Sequence, residues 1–299
     1  MKSQKSAEAN VAKLYLVGTP IGNLEDMTFR AVRVLQEADV IAAEDTRNTI
    51  RLCNHFDIKT PLMSYHEHNL EKGGEKILSL LAEGKTVALV SDAGMPCISD
   101  PGNDIATKAI QEGFDVVPIP GANAAISALV ASGLQTQPFS FFGFLSRQKK
   151  ERTEQLRKLQ QKEETLLLYE APHRLKETVK ALSESFGGSR QVVLARELTK
   201  RYEEFLRGTL EEAVSWVESN EIRGEFCIVV EGNDDLEESS EAWWKDISIQ
   251  MHVEMVMEKE GVSSKEAIKS VALEREMSKR DVYQKYHVDG NDIKKNPER

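Results

Sequence analysis

Short apolar runs alternate with amphipathic stretches along most of this chain. Lys13 to Val17, Val40 to Ala43, Thr86 to Val90 and Asp115 to Ile119 are four or five residues long and mostly apolar, the length and character of strands buried on both faces. Helical periodicity fills the gaps. Thr28 has the chemistry of an N-cap, with Ala31, Val32, Val34 and Leu35 on one side of the helix it opens. Thr49 to Phe56 reads as a second helix. Glu75 to Glu83 turns Ile77, Leu78, Leu80 and Leu81 inward and stops at Gly84, and Asp104 to Glu112 is a further helix. Such alternation predicts a largely parallel sheet. The pattern then resumes, with strands over Thr165 to Tyr169, Gln191 to Ala195, Arg201 to Arg207 and Phe226 to Val230, and helices ending near Phe186 and spanning Thr209 to Val217. A second α/β unit is expected there.

Changes of polarity mark the boundaries. Residues 1–12 are mostly polar and read as a disordered tail, and the first α/β domain spans 13–137. Phe139 to Leu145 is aromatic and leads into the second domain, 138–233. Glu231 to Ala242 holds six acidic residues and no basic one, which puts an acidic linker at 234–242. The remaining 243–299 is a helical tail in which Ser-Lys-x-x-apolar occurs at Ser264 and again at Ser278, each time as a helix start. That pattern suggests a helix-turn-helix-like appendage; a plain helical cap or a dimer arm fits it equally.

Chemistry concentrates where strands end. The organising stretch is Leu89 to Gly102, where Gly94 permits a positive φ and Pro96 and Pro101 stiffen the chain. Gly18-Thr19-Pro20-Ile21-Gly22-Asn23 and Pro120-Gly121-Ala122-Asn123 are loops of the same kind after two other strands. Stiff glycine-containing loops at the carboxyl edge of an α/β sheet are where small ligands bind. Polar clusters follow five strand ends: Glu44/Asp45/Arg47, Asp92/Asp100, Asn123, Glu170/His173/Arg174 and Arg196/Glu197/Lys200. These can converge on one cleft between the two α/β units. GxGxxG, GxxxxGK[ST] and GxSxG are all missing, which argues against a dinucleotide enzyme, a Walker-type NTPase and a lipase-like hydrolase.

The net charge of −10 weighs against indiscriminate coating of nucleic acid. Arg147 to Lys162, however, carries seven Lys/Arg against two Asp/Glu and is either a solvated helix face or a nucleic-acid contact. Cys53, Cys97 and Cys227 form no CxxC pair, which fits a reduced cytoplasmic protein without a zinc site. His66 and His68 lack metal-site spacing, so no metal is expected. No apolar run is long enough to span a membrane.

The loops Val17 to Asn23, Ser91 to Gly94, Pro118 to Gly121, Tyr169 to Arg174 and Ala195 to Lys200 together resemble the tetrapyrrole-methylase superfamily, and within it the branch that acts on ribosomal RNA. Five motifs in the right order, over Lys13 to Asn233, make the resemblance specific. It implies two α/β domains of that type with a cofactor cleft between them, plus a small C-terminal helical appendage. It implies S-adenosyl-L-methionine in the cleft, 2′-O-methylation of a cytidine in the decoding region of 16S ribosomal RNA in the small ribosomal subunit, and a homodimer. By motif position the cofactor contacts map onto Ile21, Asp92, Ala93, Gly94, Ile98, Asn123, Ala124, Glu170 and Leu198. The chain departs from the family pattern at Met95 and Cys97, where Thr and Leu are usual, and at Ala171, where Ser is usual.

For methyl transfer to a ribose hydroxyl, the expected base is Asp45 or Glu44, or Lys200 if burial lowers its pKa. Arg47 and Arg174 would hold phosphates, and His173 would do the same or orient the ribose. Arg147, Lys149, Lys150 and Arg152, with the helices from Ser263, would dock the RNA. Two other functions fit the sequence: a small-molecule methyltransferase acting on a tetrapyrrole, and a non-catalytic ribosome-assembly factor with a vestigial cleft.

Overall fold

The computed structural model describes residues 3–4, 12–233, 244, 247–275 and 277–287. The expected tail, apart from residues 3, 4 and 12, and the expected linker lie outside them. The chain divides into two compact units, Met1–Asn233 and Asp234–Arg299.

The first unit begins with β1 (Lys13–Val17), α1 (Phe29–Glu37), β2 (Val40–Ala43), α2 (Thr46–His55), β3 (Leu62–Ser64), α3 (Leu70–Ala82), β4 (Val87–Val90), α4 (Asn103–Glu112), β5 (Asp115–Ile119) and α5 (Ala124–Ser132). The strands form one sheet in the order β3-β2-β4-β1-β5, and every pairing is parallel. Both faces are covered. Ala88 and Val90 of β4 pack with Val34 and Leu35 of α1, while Val87 and Leu89 pack with Ile77 and Leu81 of α3 and Ile105 of α4. This explains why the strands read as continuous apolar runs rather than alternating ones. The strand order changes direction beside β1 and β4, the kind of switch point where parallel sheets bind ligands.

Local chemistry fixes the helix starts. The Thr28 hydroxyl accepts from the Ala31 amide at 3.0 Å. Asp45 caps α2 by accepting from the Arg47 amide at 2.8 Å, so that helix begins three residues before the expected Thr49. Helix α3 likewise begins earlier than its apolar stripe, because Gly73 and Gly74 are buried within it. Strand β3 was not anticipated; three residues are too few to leave a periodic signal.

The chain continues with β6 (Phe139–Phe144), α6 (Lys149–Leu159), β7 (Thr165–Glu170), α7 (Pro172–Phe186), β8 (Gln191–Arg196), β9 (Glu204–Thr209), α8 (Leu210–Ser219) and β10 (Phe226–Val230). The second sheet has the order β6-β7-β10-β8-β9. Only β6 and β7 run parallel; β10 is antiparallel to both β7 and β8, and β8 to β9. Helices α6, α7 and α8 cover one face through Leu156, Leu175, Val179 and Val217. The other face receives α5, whose Ala125, Ala128 and Leu129 lie against Leu167, Val193, Ala195 and Val229. Helix α5 follows the last strand of the first sheet and packs on the second. Its alanines permit the close approach that holds the two sheets together.

The second unit contains α9 (Ile249–Glu260), α10 (Ser264–Glu274) and α11 (Lys279–His287), packed around Val253, Val256, Ile268, Val271 and Val282. Ser263 opens α10 with a capping box to Glu266. Arg275 binds the carbonyls of Trp244 and Ile247 at 2.8 Å each and lies over the Trp244 ring. Among the described residues no helix is long and apolar enough to cross a membrane.

Candidate active site

Three loops lock together at the carboxyl ends of β1, β4 and β5. The Thr19 amide donates to the Gly94 carbonyl at 2.9 Å, and the Gly94 amide returns a bond to Thr19 at 3.1 Å. Gly18 and Gly121 touch through their backbones, so a Cβ on Gly121 would stand 2.9 Å from the Gly18 Cα. Gly94 adopts φ 79°, as its loop required. Asn123 caps α5, accepting from the Ile126 amide at 3.0 Å.

These loops face the second sheet across a cavity of about 480 Å³, within the range of cofactor and ligand sites. From the first side come Ile21, Ala93, Gly94, Met95, Ile98, Asp100, Asn123 and Ala124; from the second, Phe144, Tyr169, Glu170, His173, Leu198, Lys200 and Glu225. Eight of the nine expected cofactor contacts therefore border one space. The exception is Asp92, which lines a separate cavity of about 210 Å³ with Asn48 and Arg51. Its carboxylate accepts from the Asp45 amide at 3.2 Å and from Asn48 at 3.0 Å.

The expected catalytic residues separate into two groups. His173 and Lys200 line the large cavity, whereas Glu44, Asp45 and Arg47 do not. Asp45 is occupied as a helix cap and as the ion-pair partner of Arg47 at 2.6 Å. Those hydrogen bonds hold its pKa down to about 2, unsuited to a base at neutral pH. Lys200 meets the opposite of the expected shift. Burial alone would lower its pKa, but hydrogen bonds to Glu225 and Glu197, each 2.9 Å, outweigh it and the ammonium is stabilised. Its aliphatic stem lies over Gly22, where a Cβ would clash at 2.5 Å. Glu44 is half-buried, one carboxylate oxygen has no hydrogen-bond partner, and burial together with Asp92 raises its pKa.

Two residues expected at an RNA surface are turned inward. Arg152 is 4 % exposed and pairs with Glu177, because it lies on the face of α6 that carries Leu156 and Leu159. Arg174 donates to the Leu145 carbonyl at 2.8 Å and sits 3.5 Å from Glu170. Arg147, Lys149 and Lys150 are exposed.

The sequence places Asp100 among the strand-end acids that can converge on the cleft without giving it a role, and does not assign Phe144, Tyr169 or Glu225 to the site. Phe144 was masked by its aromatic neighbours, and Glu225 stands before a strand rather than after one. A backbone signal marks the same place. Of five non-glycine residues with positive φ among the described residues, Cys97 and Ser99 belong to the loop after β4, and Glu197 and Thr199 to the loop after β8. Residues held in this region concentrate at functional sites.

The pattern of the family described as Tetrapyrrole (Corrin/Porphyrin) Methylases matches residues 13–214. A protein of Halalkalibacterium halodurans named ribosomal RNA small subunit methyltransferase I is 57% identical over 96% of this chain and 99% of its own length. One of the same name from Bacillus subtilis is 54% identical over 95% and 97%. Among solved structures, uroporphyrin-III C-methyl transferase from Thermus thermophilus, complexed with S-adenosyl homocysteine, shares the fold with a TM-score of 0.54 at 20% identity, covering 74% of this chain and 97% of its own. The chain is a methyltransferase: it belongs to the tetrapyrrole methylase family and, within it, groups with the ribosomal RNA small subunit methyltransferase I proteins.

Proposed function

We propose that this protein transfers a methyl group from S-adenosyl-L-methionine to the 2′-hydroxyl of a cytidine in 16S ribosomal RNA, acting on the small ribosomal subunit in the cytoplasm as a homodimer. The observation that carries this reading is the match along nearly the whole chain to relatives named for small-subunit ribosomal RNA. The tetrapyrrole enzyme of known structure leaves about a quarter of this chain unmatched, and a small substrate has no evident use for the added helices or for the exposed cations of α6.

The cavity suits the cofactor. Glycine and alanine at its wall leave backbone groups open, and a Cβ on Gly94 would crowd Ile21 at 3.3 Å. Ile21, Ala93, Gly94, Ile98, Asn123, Ala124 and Leu198 would hold the group, which supplies an electrophilic methyl carbon when bound. Glu170 would contribute shape more than charge. Its carboxylate is already taken by the Ala171 amide at 2.9 Å and the Thr178 hydroxyl at 2.6 Å. Lys200, kept protonated by its two glutamates, and His173 at the start of α7 would orient the nucleotide. Alignment of the hydroxyl is the main task, since in-line displacement depends on it.

For docking, Arg147, Lys149 and Lys150 present cations beside the cavity strand β6, and the helices from Ser263 add further basic residues. Ile126 and Val130 on α5, with Phe139 on β6, are apolar and exposed, a surface that a second copy would cover.

The test is label transfer from methyl-labelled cofactor to unmodified small subunits, to naked 16S RNA and to a porphyrinogen in parallel. The expected outcome is label in 2′-O-methylcytidine from the subunits, identified by nucleoside mass spectrometry. Label in the porphyrinogen alone would move the protein to the small-molecule branch, and cofactor binding without transfer would favour an assembly factor. Replacing Arg147, Lys149 and Lys150 by alanine should reduce the salt slope of subunit binding by up to ~3, whereas Arg152→Ala should lower Tm and leave that slope unchanged.

A further inference from the structure

A bulge in β6 turns an aromatic ring into the large cavity. Strand β6 pairs with β7 in step from Phe139 opposite Thr165 to Phe141 opposite Leu167. The register then skips one residue, so that Gly143 stands opposite Leu168 and Phe144 opposite Tyr169. Successive side chains of a strand point to opposite faces. On β7, Leu166 and Leu168 pack under the helices α6, α7 and α8, while Leu167 and Tyr169 lie on the face that receives α5. Glu170 belongs to the first face, where it bonds to Thr178 of α7. A regular strand would set Phe144 opposite Glu170, on that helix-covered face. The extra residue, Phe142, moves the ring to the face of Phe141 and Tyr169. Bulges next to functional sites re-aim side chains in this way.

The bulge is built into the loops around it. Gly143 adopts φ 79°, and a Cβ there would stand 3.0 Å from the Ser99 hydroxyl, so a side chain at this point is strained twice. Two other rings at the cavity are engaged. Phe226 is buried. Tyr169 packs against Phe141 with ring centroids 5.1 Å apart, and its hydroxyl accepts from the Ala125 amide at 3.1 Å. Phe144 meets Tyr169 edge to face at 5.7 Å and lines the cavity while remaining 50 % exposed. Core packing gives no reason to move a phenylalanine from a covered face to one where half of it meets water.

The surroundings of this ring are cationic. Arg147, Lys149 and Lys150 are exposed and follow it closely in the chain, and Lys200 stands on the cavity wall. An open aromatic face with cations beside it is how proteins hold an unpaired nucleotide: the ring takes the base and the cations take the phosphates.

We propose that Phe144 is the platform on which the base of the methylated nucleotide stacks, so that its ribose hydroxyl is presented to the cavity. The inference deepens the ribose-methylation reading and rests on it. Stacking tolerates every base because each has a π-face, so Phe144 supplies affinity and orientation and leaves the choice of cytidine to other groups.

The test compares wild type with Phe144→Ala, Phe144→Leu and Phe144→Tyr on unmodified small subunits, with the Kd for S-adenosyl-L-methionine measured separately by calorimetry. Phe144→Ala should lower kcat/KM by ~5- to 150-fold, the range for loss of one base–aromatic stack. Phe144→Leu keeps apolar bulk without a ring and should stay at least ~5-fold below wild type, whereas Phe144→Tyr should return to within about threefold. Cofactor affinity should be unchanged in all three. A leucine variant as active as wild type would overturn the proposal, since bulk alone would then suffice. A tyrosine variant as impaired as the alanine one would overturn it too, as would a loss of cofactor affinity in proportion to kcat/KM, which would make Phe144 part of the cofactor's wall. A wild type that labels no RNA overturns the ribose-methylation reading and this inference with it. A wild type that labels RNA beside an equally active Phe144→Ala overturns this inference alone.

Discussion

The two walls of the cavity are built on opposite electrostatic plans. The wall from the parallel sheet offers backbone, small side chains and Asp100, and Glu44 and Asp92, which lie outside the cavity, add like charge to it. The wall from the mixed sheet offers charges already satisfied: Glu170 by Thr178 and Arg174, and Lys200 by Glu197 and Glu225. Paired charges hold a shape, whereas crowded acids are ready to take up a proton. The comparison separates charges that are already paired from acids that crowd one another.

The largest effect should come from the backbone of the parallel side. Gly121→Val places a side chain against Gly18, where the gap to a Cβ is already only 2.9 Å. We expect cofactor affinity to fall more than about tenfold, since precise placement of the loops sets the site; calorimetry reads it. Next come opposite signs for two acids. Glu170→Ala removes a buried carboxylate and strands Arg174 and Thr178, at a cost of about 3–5 kcal/mol, or on the order of 10 °C in Tm. Asp100→Asn should instead raise the Tm of the ligand-free protein by a few degrees at pH 7. The sign follows from linkage: a carboxyl whose folded pKa is raised supports the fold fully below its ordinary range near 4, and that support is lost as pH rises through about 6. The gain from asparagine should therefore vanish by about pH 4. If both variants lowered Tm alike at pH 7 in calorimetric scans, the contrast between the walls would fail.

Most of the fold was legible because it is written in local pattern. β1, β2, β4 and β5 are apolar throughout since both faces are covered, and Thr28, Thr209 and Ser263 announce their helices by cap chemistry. What sequence could not supply was pairing across distance. Nothing local says that β10 runs antiparallel between β7 and β8, or that α5 leaves one sheet to pack on the other. The site divided in the same way. Ile21, Gly94, Asn123 and Leu198, mapped by the motifs that carry the family resemblance, line the cavity. Asp45, Arg152 and Arg174 have the right chemistry for a site, but a helix cap, a buried helix face and two loop carbonyls claim them, and each of those partners depends on the fold. Asp100 was seen as a strand-end acid, yet only its neighbours distinguish it from any other.

The four positive-φ residues around the cavity carry a consequence for how this enzyme can adapt. Holding Cys97, Ser99, Glu197 and Thr199 there costs on the order of 1–3 kcal/mol each. Glycine at Cys97, Ser99 or Thr199 would relieve that cost and harden the protein against heat, while letting a wall of the cavity wander; at Glu197 it would also remove a partner of Lys200. Selection for heat tolerance and selection for turnover therefore pull on the first three positions in opposite directions, and a lineage moving to hotter water would have to find its extra stability elsewhere, in helix surfaces and sheet cores far from the cleft.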